Sequence, residues 1–208
     1  VVQLPSVETL LQNCSIALTG GSSLLVTGSS GCGKSTFLRT ISGIWPFGRG
    51  TVVADPQACA LFLPQRPYLP LGSLRRAILY PQLSLNEEDT ADRRSEDERI
   101  HAVLDLVELP KLHDQLDKID DWSRILSLGE QQRIAFARVL LIRPRWVFLD
   151  EATSALDEVR EAKLYRLLKQ EIPDLGIVSV GHRTTLYELH DTEMHLEKGT
   201  YILRSLQP

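Results

Sequence analysis

Residues 28–36 read Gly-Ser-Ser-Gly-Cys-Gly-Lys-Ser-Thr and satisfy the pattern G-x-x-x-x-G-K-[ST]. No other stretch constrains the fold as much, because this pattern has a mechanism only between a buried strand and a helix. Leu24-Leu25-Val26-Thr27 precedes it as an apolar run bounded by Gly and Ser, which predicts a strand. Phe37 to Ile41 follows with residues suited to a helix. The loop Gly28, Ser29, Ser30, Gly31, Cys32, Gly33 can turn its amides inward around a polyphosphate. The helix start beside it adds the positive end of a dipole. Lys34 offers a point charge to β- and γ-phosphates, the Ser35 hydroxyl can ligate Mg²⁺, and Thr36 closes the motif. The stretch predicts binding of a nucleoside triphosphate, with Cys32 a tolerated small residue in the loop.

At 208 residues the chain suits one domain, or one domain carrying a sizeable insertion. A net charge of −4 gives no global attraction to nucleic acid or anionic lipid. No apolar run approaches the roughly 18 residues a membrane span needs. No signal peptide is visible, and a start at Val1 suggests a piece of something longer. Cys14, Cys32 and Cys59 lack metal-ligand spacing and suit a reducing compartment.

Along the chain, residues 10–19 and the turn Gly20-Gly21 predict a strand forming a hairpin with the strand before the glycine loop. Thr51-Val52-Val53 and Ala60 to Leu63 are further strand candidates, the second closed by Pro64 and followed by Gln65. A polar residue just past a buried strand is placed to reach a ligand above a sheet. Beyond residue 66, Ser73 to Leu79 predicts a short helix. Asn86 to Glu98 carries seven acidic residues against two arginines, a solvated loop or helix surface. Ile100, Val103, Leu104, Leu106 and Val107 predict an amphipathic helix.

Ser127-Leu128-Gly129-Glu130 has the S-x-x-E form of a capping box and opens a predicted helix through about Ile142, ended by Arg143-Pro144. Trp146 to Leu149 is a bulky apolar strand finishing in Asp150-Glu151. Two carboxylates at such a tip are costly unless paired or bound to metal. Beside a phosphate loop, Asp150 suits Mg²⁺ and Glu151 suits the orientation or deprotonation of an attacking water. Ser154-Ala155-Leu156-Asp157 leads into a helix from about Glu158 to Gln170. Ile177 to Val180 is another buried strand and delivers Gly181-His182-Arg183, with His182 a candidate γ-phosphate contact. Residues 194–196 and 201–203 predict a closing hairpin around Lys198-Gly199. His101, His113, His190 and His195 lack a comparable setting.

The ordered set of residues 28–36, Gln65, Leu126-Ser127-Leu128-Gly129-Glu130, Val147 to Glu151, Ser154 to Asp157 and His182 resembles the nucleotide-binding domain of an ABC transporter. The segment Leu126 to Glu130 carries most of that specificity. Gly43-Ile44-Trp45-Pro46, Leu63 to Tyr68, Leu79-Tyr80-Pro81, Asp121-Trp122 and Val180 to Arg183 resemble subfamily D, which includes peroxisomal acyl-CoA and lysosomal cobalamin transporters, and its bacterial relatives.

The resemblance implies an α/β fold: a P-loop NTPase, RecA-like core with an antiparallel β subdomain (1–65 and 143–208) and an inserted helical subdomain (66–142). It implies ATP and Mg²⁺ as ligands, with Ser35, Gln65 and Asp150 around the metal and Glu151, His182 and Gln65 in catalysis. Ser127, Gly129, Glu130 and Asp157 would meet nucleotide across a head-to-tail dimer with a second nucleotide-binding domain, the homodimer being two-fold symmetric. Transmembrane domains, fused or separate, would complete a transporter with this chain on the cytoplasmic face. Two departures stand out. Leu128 occupies a position that is usually Gly, and no Phe, Trp or Tyr precedes Phe37 where the family stacks adenine, near Leu4, Pro5 and Val7. A soluble ABC-type ATPase acting on ribosomes or DNA is the alternative, but it usually carries two cassettes or basic arms, so no nucleic-acid partner is expected.

Overall fold

In a computed structural model the chain is described over residues 1–6, 8–55, 58–81, 90–197 and 199–206, with backbone alone for 90–92. Two compact units are built from interleaved segments. The first comprises residues 1–64, 144–151 and 173–208, and the second 65–143 and 152–172.

The first unit begins with Val2–Gln3 (β1) and Thr9–Leu11 (β2), an antiparallel pair. Its turn is closed by Leu4 N–H donating to the Glu8 carbonyl at 2.8 Å. Ser23–Gly28 (β3) enters the glycine loop, Lys34–Ile41 (α1) leaves it, and Ala60–Leu63 (β4) follows. The second unit then supplies Gly72–Ser73 (β5), Leu74–Leu79 (α2), Thr90–Leu106 (α3), a 3₁₀ turn at Pro110–Gln115, Ile119–Asp120 (β6), Trp122–Ile125 (α4) and Leu128–Ile142 (α5). The chain returns to the first unit for Trp146–Asp150 (β7), and Glu158–Glu171 (α6) groups with the second. Gly176–Val180 (β8), a 3₁₀ turn at Thr184–Leu189, Thr192–Glu197 (β9) and Thr200–Ser205 (β10) complete the first.

Six strands form one sheet in the order β10-β9-β3-β8-β7-β4, parallel throughout except for the β9–β10 hairpin. Ser23 to Thr27 is buried along its whole length, as a central parallel strand must be, and this explains its unbroken apolar reading. Phe37 and Leu38 of α1 pack with Leu24, Val26, Val178 and Met194 in the core beside it.

Two sequence expectations are corrected. Residues 10–19 make no hairpin with β3, whose neighbours are β8 and β9. Instead β2 ends at Leu11, and Asn13 at φ 49° turns the chain away from extended geometry. Thr51-Val52-Val53 is not a strand: among the described residues it joins no ladder, and Val53 is 91% exposed. Its β-branched composition favours extended backbone, but a strand needs a partner. Residues 86–89 of the acidic stretch lie outside the described residues, and 90–98 form the first half of α3.

The second unit is helical, with α2, α3 and α5 burying Leu74, Ile78, Ile100, Leu104 and Phe136. Phe136 meets Tyr165 of α6 edge-on, ring centroids 6.1 Å apart. Arg138 is buried on α5 and donates to the Ala77 carbonyl and, at 2.8 Å, to that of Tyr68. Burial draws its pKa down to about 10, still far above neutrality, so the unit holds a charged guanidinium satisfied by backbone oxygens.

Candidate functional site

In the first unit, parallel pairing sets the level of three strand ends. Val26 is in register with Val180, and Val180 with Asp150. The glycine loop after β3, Glu151 after β7 and His182 after β8 therefore emerge at one edge, where ligands bind in open parallel sheets. The sequence could place each residue at a strand tip, but only the register β3-β8-β7 makes the three tips neighbours.

The loop itself is built for an anion. Gly33 is the N-cap of α1 at φ 103°, a conformation costly for residues with a Cβ, and no side chain caps the helix. The first amides of α1 are thus left for an external acceptor. The Lys34 ammonium lies back over the loop, donating to the Gly28 and Ser29 carbonyls at 2.9 Å each. Ser29 and Ser30 are exposed, while Cys32, Lys34, Ser35 and Thr36 are half-buried.

Ser35 Oγ donates to Asp150 Oδ1 at 2.6 Å. Asp150 is 6% exposed, and its other oxygen lies 3.6 Å from Arg39 Nη2. A hydroxyl and a carboxylate held together at the mouth of a phosphate loop are hard oxygen donors, the set Mg²⁺ takes when phosphates supply further ligands. The residues present fit the metal. Among the described residues no cluster of three or more His, Cys, Asp or Glu could hold a metal by itself. Glu151 adopts φ 50°, left-handed for a residue with a side chain, and its N–H donates to the Val180 carbonyl at 3.2 Å. His182 is exposed.

The second unit carries the remaining candidates. Ser127 is the N-cap of α5 and forms the expected capping box with Glu130. Ser127 N–H and Oγ–H donate to Glu130 Oε2 at 2.8 and 2.7 Å. Burial acts to raise the Glu130 pKa, but the Lys111 ammonium and the Ser127 donors outweigh it and pull the value from 4.5 to about 2. Leu128 is simply the first helical residue and is half-buried. Gly129 cannot be enlarged freely, because a Cβ there would sit 3.2 Å from Leu156 Cδ2 and 3.3 Å from the Ala155 carbonyl. The N-terminus of α5 therefore lies against the Ser154–Leu156 turn. Asp157 caps α6 by accepting from Arg160 N–H at 2.8 Å, the first cause of its lowered pKa. Gln65 opens this unit and is exposed.

Sequence reasoning missed Gln132, 0% exposed, whose amide touches Gln65, Ser154 and Ala155. Its i+3 spacing from Gly129 and i−4 spacing from Phe136 put it on the buried face of α5, a signal that was available. Near the glycine loop, Leu10 of β2 packs over Gly33, where a Cβ would lie 3.3 Å from it. Leu4 and Pro5 sit in the β1–β2 turn, and Val7 lies outside the described residues.

Comparison with known proteins gives a consistent picture. The family model described as ABC transporter matches residues 11–154. An ABC transporter ATP-binding protein of Haemophilus influenzae is 46% identical over 96% of this chain and 32% of its own length. The lysosomal cobalamin transporter ABCD4 of Homo sapiens is 39% identical over 92% of this chain and 32% of its own. The chain thus spans about a third of the length of the curated relatives it matches. A solved ABC transporter in an inward-facing conformation superposes with a TM-score of 0.75 at 22% identity, covering 99% of this chain and 80% of that one.

Proposed function

The chain belongs to the ABC transporter family as one of its ATP-binding, ATP-hydrolysing domains, and from that premise we propose that it powers a membrane transporter through ATP-driven head-to-tail dimerisation. The observation that carries the site assignment is the hydrogen bond from Ser35 to Asp150, which joins the glycine loop to the tip of β7. Ser35, Asp150 and Gln65 would hold Mg²⁺, which supplies charge neutralisation at the β- and γ-phosphate oxygens. Lys34 exchanges its two carbonyl partners for phosphate, a stronger charge-assisted contact. The uncapped amides of α1 and the loop from Gly28 to Thr36 bind the phosphate chain, with Ser29, Ser30, Gly31 and Cys32 offering backbone N–H groups.

Glu151 acts as the general base that takes a proton from the attacking water, and His182 contacts the γ-phosphate. One chain carries one glycine loop and one Ser127–Glu130 segment, so a second nucleotide-binding domain would present its Ser127 and Gly129 to the nucleotide held by the first. Asp157 and Glu130 would border that interface. ATP then favours the closed pair, and hydrolysis removes that preference, which is what driving a conformational change requires. The helical segment 66–142 would receive transmembrane domains, fused or separate, at the cytoplasmic face of a membrane. No described helix is long and apolar enough to cross one.

Glu151→Gln tests this reading, because it keeps the shape of the side chain and one acceptor oxygen but removes proton acceptance. Gel filtration with ATP and Mg²⁺ should give dimers that persist, with turnover reduced about 10²-fold or more. Unchanged turnover would move the base elsewhere.

A further inference from the structure

Gln132 is the polar residue of α5 that solvent does not reach, being 0% exposed. Burying a primary amide is costly unless its donors and acceptor are met, and all three functions are met here. Nε2 donates to the Gln65 carbonyl at 2.9 Å and to Ser154 Oγ at 3.2 Å. Oε1 accepts from Ala155 N–H at 3.1 Å. One side chain therefore ties the backbone of Gln65 to the turn that runs into Asp157, segments separated by almost ninety positions.

Its neighbours do different work. Gln131 donates to the Ser123 and Leu126 carbonyls on the approach to α5, and Arg133 to those of Val107 and Glu108 just past α3, so neither holds the Gln65 segment. The same turn is pressed against α5 at Gly129, where a Cβ would lie 3.3 Å from the Ala155 carbonyl. Ser127, Gly129, Gln132 and the Ser154–Leu156 turn form one block, and Gln65 is fastened to that block through its own carbonyl.

We infer that Gln132 is a positioning residue that fixes Gln65 against the Ser154–Asp157 turn, so that the Gln65 side chain is presented for hydrolysis only when that turn is in place. The inference rests on the proposed role of Gln65 at Mg²⁺. A rigid amide brace suits the task, because it passes a displacement of one segment to the other without slack. Partners of ligating groups that act from one layer out typically change activity or metal affinity by about 10- to 100-fold when lost.

The test uses the full chain and separates the two ends of the amide. Gln132→Glu keeps an oxygen to accept from Ala155 N–H and one that Ser154 can donate to, but it loses the donor to Gln65. Gln132→Leu loses both ends. In nucleotide-free protein, hydrogen exchange at Ala155 should accelerate in the Leu variant and stay slow in the Glu variant. ATP affinity measured without Mg²⁺ should be unchanged in both, because the glycine loop is untouched. kcat should fall about 10- to 100-fold in the Glu variant with the KM for ATP held. In a Gln65→Ala background, adding Gln132→Glu should cause no further loss.

Equal losses in both backgrounds, or an unchanged kcat in the Glu variant, would overturn the inference and leave the assigned site standing. Gln65→Ala with undiminished turnover and Mg²⁺ requirement would overturn the role of Gln65 itself, and the inference with it. If the Leu variant fails to fold, the Glu variant and its double mutant still decide the question.

Discussion

Glu151 sits at φ 50°, and replacing it separates the stability of the fold from its chemistry. A residue with a Cβ in left-handed geometry carries about 1–2 kcal/mol of strain. Comparing Glu151→Ala with Glu151→Gly isolates that strain, since both variants lack the carboxylate and all its contacts. Glycine relieves the Cβ clash but adds unfolded-chain entropy of about 0.4–1 kcal/mol. The difference leaves the Gly variant the more stable by up to about 1.6 kcal/mol, with a central value of about 0.8 kcal/mol, the reverse of the usual order. The backbone bond from residue 151 N–H to the Val180 carbonyl survives in both. Urea denaturation should show a higher midpoint for the Gly variant at unchanged slope, because the surface exposed on unfolding is the same. Both variants should be inactive in hydrolysis. A Gly variant less stable than the Ala variant would refute the reasoning, and would mean that residue 151 relaxes to an unstrained backbone.

Three further outcomes follow from the same geometry. Glu130 has its pKa lowered from 4.5 to about 2, so its ionised form stabilises the fold above pH 4.5 and that contribution is lost as pH falls towards 2. The stability gap between wild type and Glu130→Ala should be about 1 kcal/mol near neutrality, the scale of a helix cap, and should close in acid; a gap that widens in acid contradicts the assignment. The Lys111 side chain is 65% exposed, so its ion pair adds little. Ser35→Ala removes the donor to Asp150 Oδ1 and should weaken Mg²⁺-dependent ATP binding more than binding without Mg²⁺, measured by titration in each condition; an equal loss in both would detach Ser35 from the metal. With aliphatic Leu4 and Pro5 near the expected adenine position, ATP and GTP should bind within about tenfold, roughly 1.4 kcal/mol, and stronger discrimination in nucleotide titrations would reveal a contact that reads the edge of the base.

By itself the sequence determined the local elements on which the candidate site is built, because each rests on local rules. Gly33 before Lys34 starts a helix whose amides need an outside partner, Ser127 with Glu130 writes a capping box, and Trp146 to Leu149 reads as a bulky apolar strand finishing in Asp150. Ser154 to Asp157 reads as the lead into a helix, and the structure shows Asp157 to be its N-cap. These signals depend on neighbours within a turn or two, which is why they are legible without the rest of the fold. Register and neighbourhood are different. That β3 sits between β8 and β9, rather than in a hairpin with residues 10–19, was decided by burial of both its faces in a parallel sheet. That Thr51 to Val53 stays out of any ladder was decided by the lack of a partner strand among the described residues, which propensity cannot see. Gln132 is the clearest case. Its spacing puts it on a buried face, but the carbonyl, hydroxyl and amide that satisfy it come from chain segments far away in sequence. Only folding brings together the groups that make a buried amide affordable.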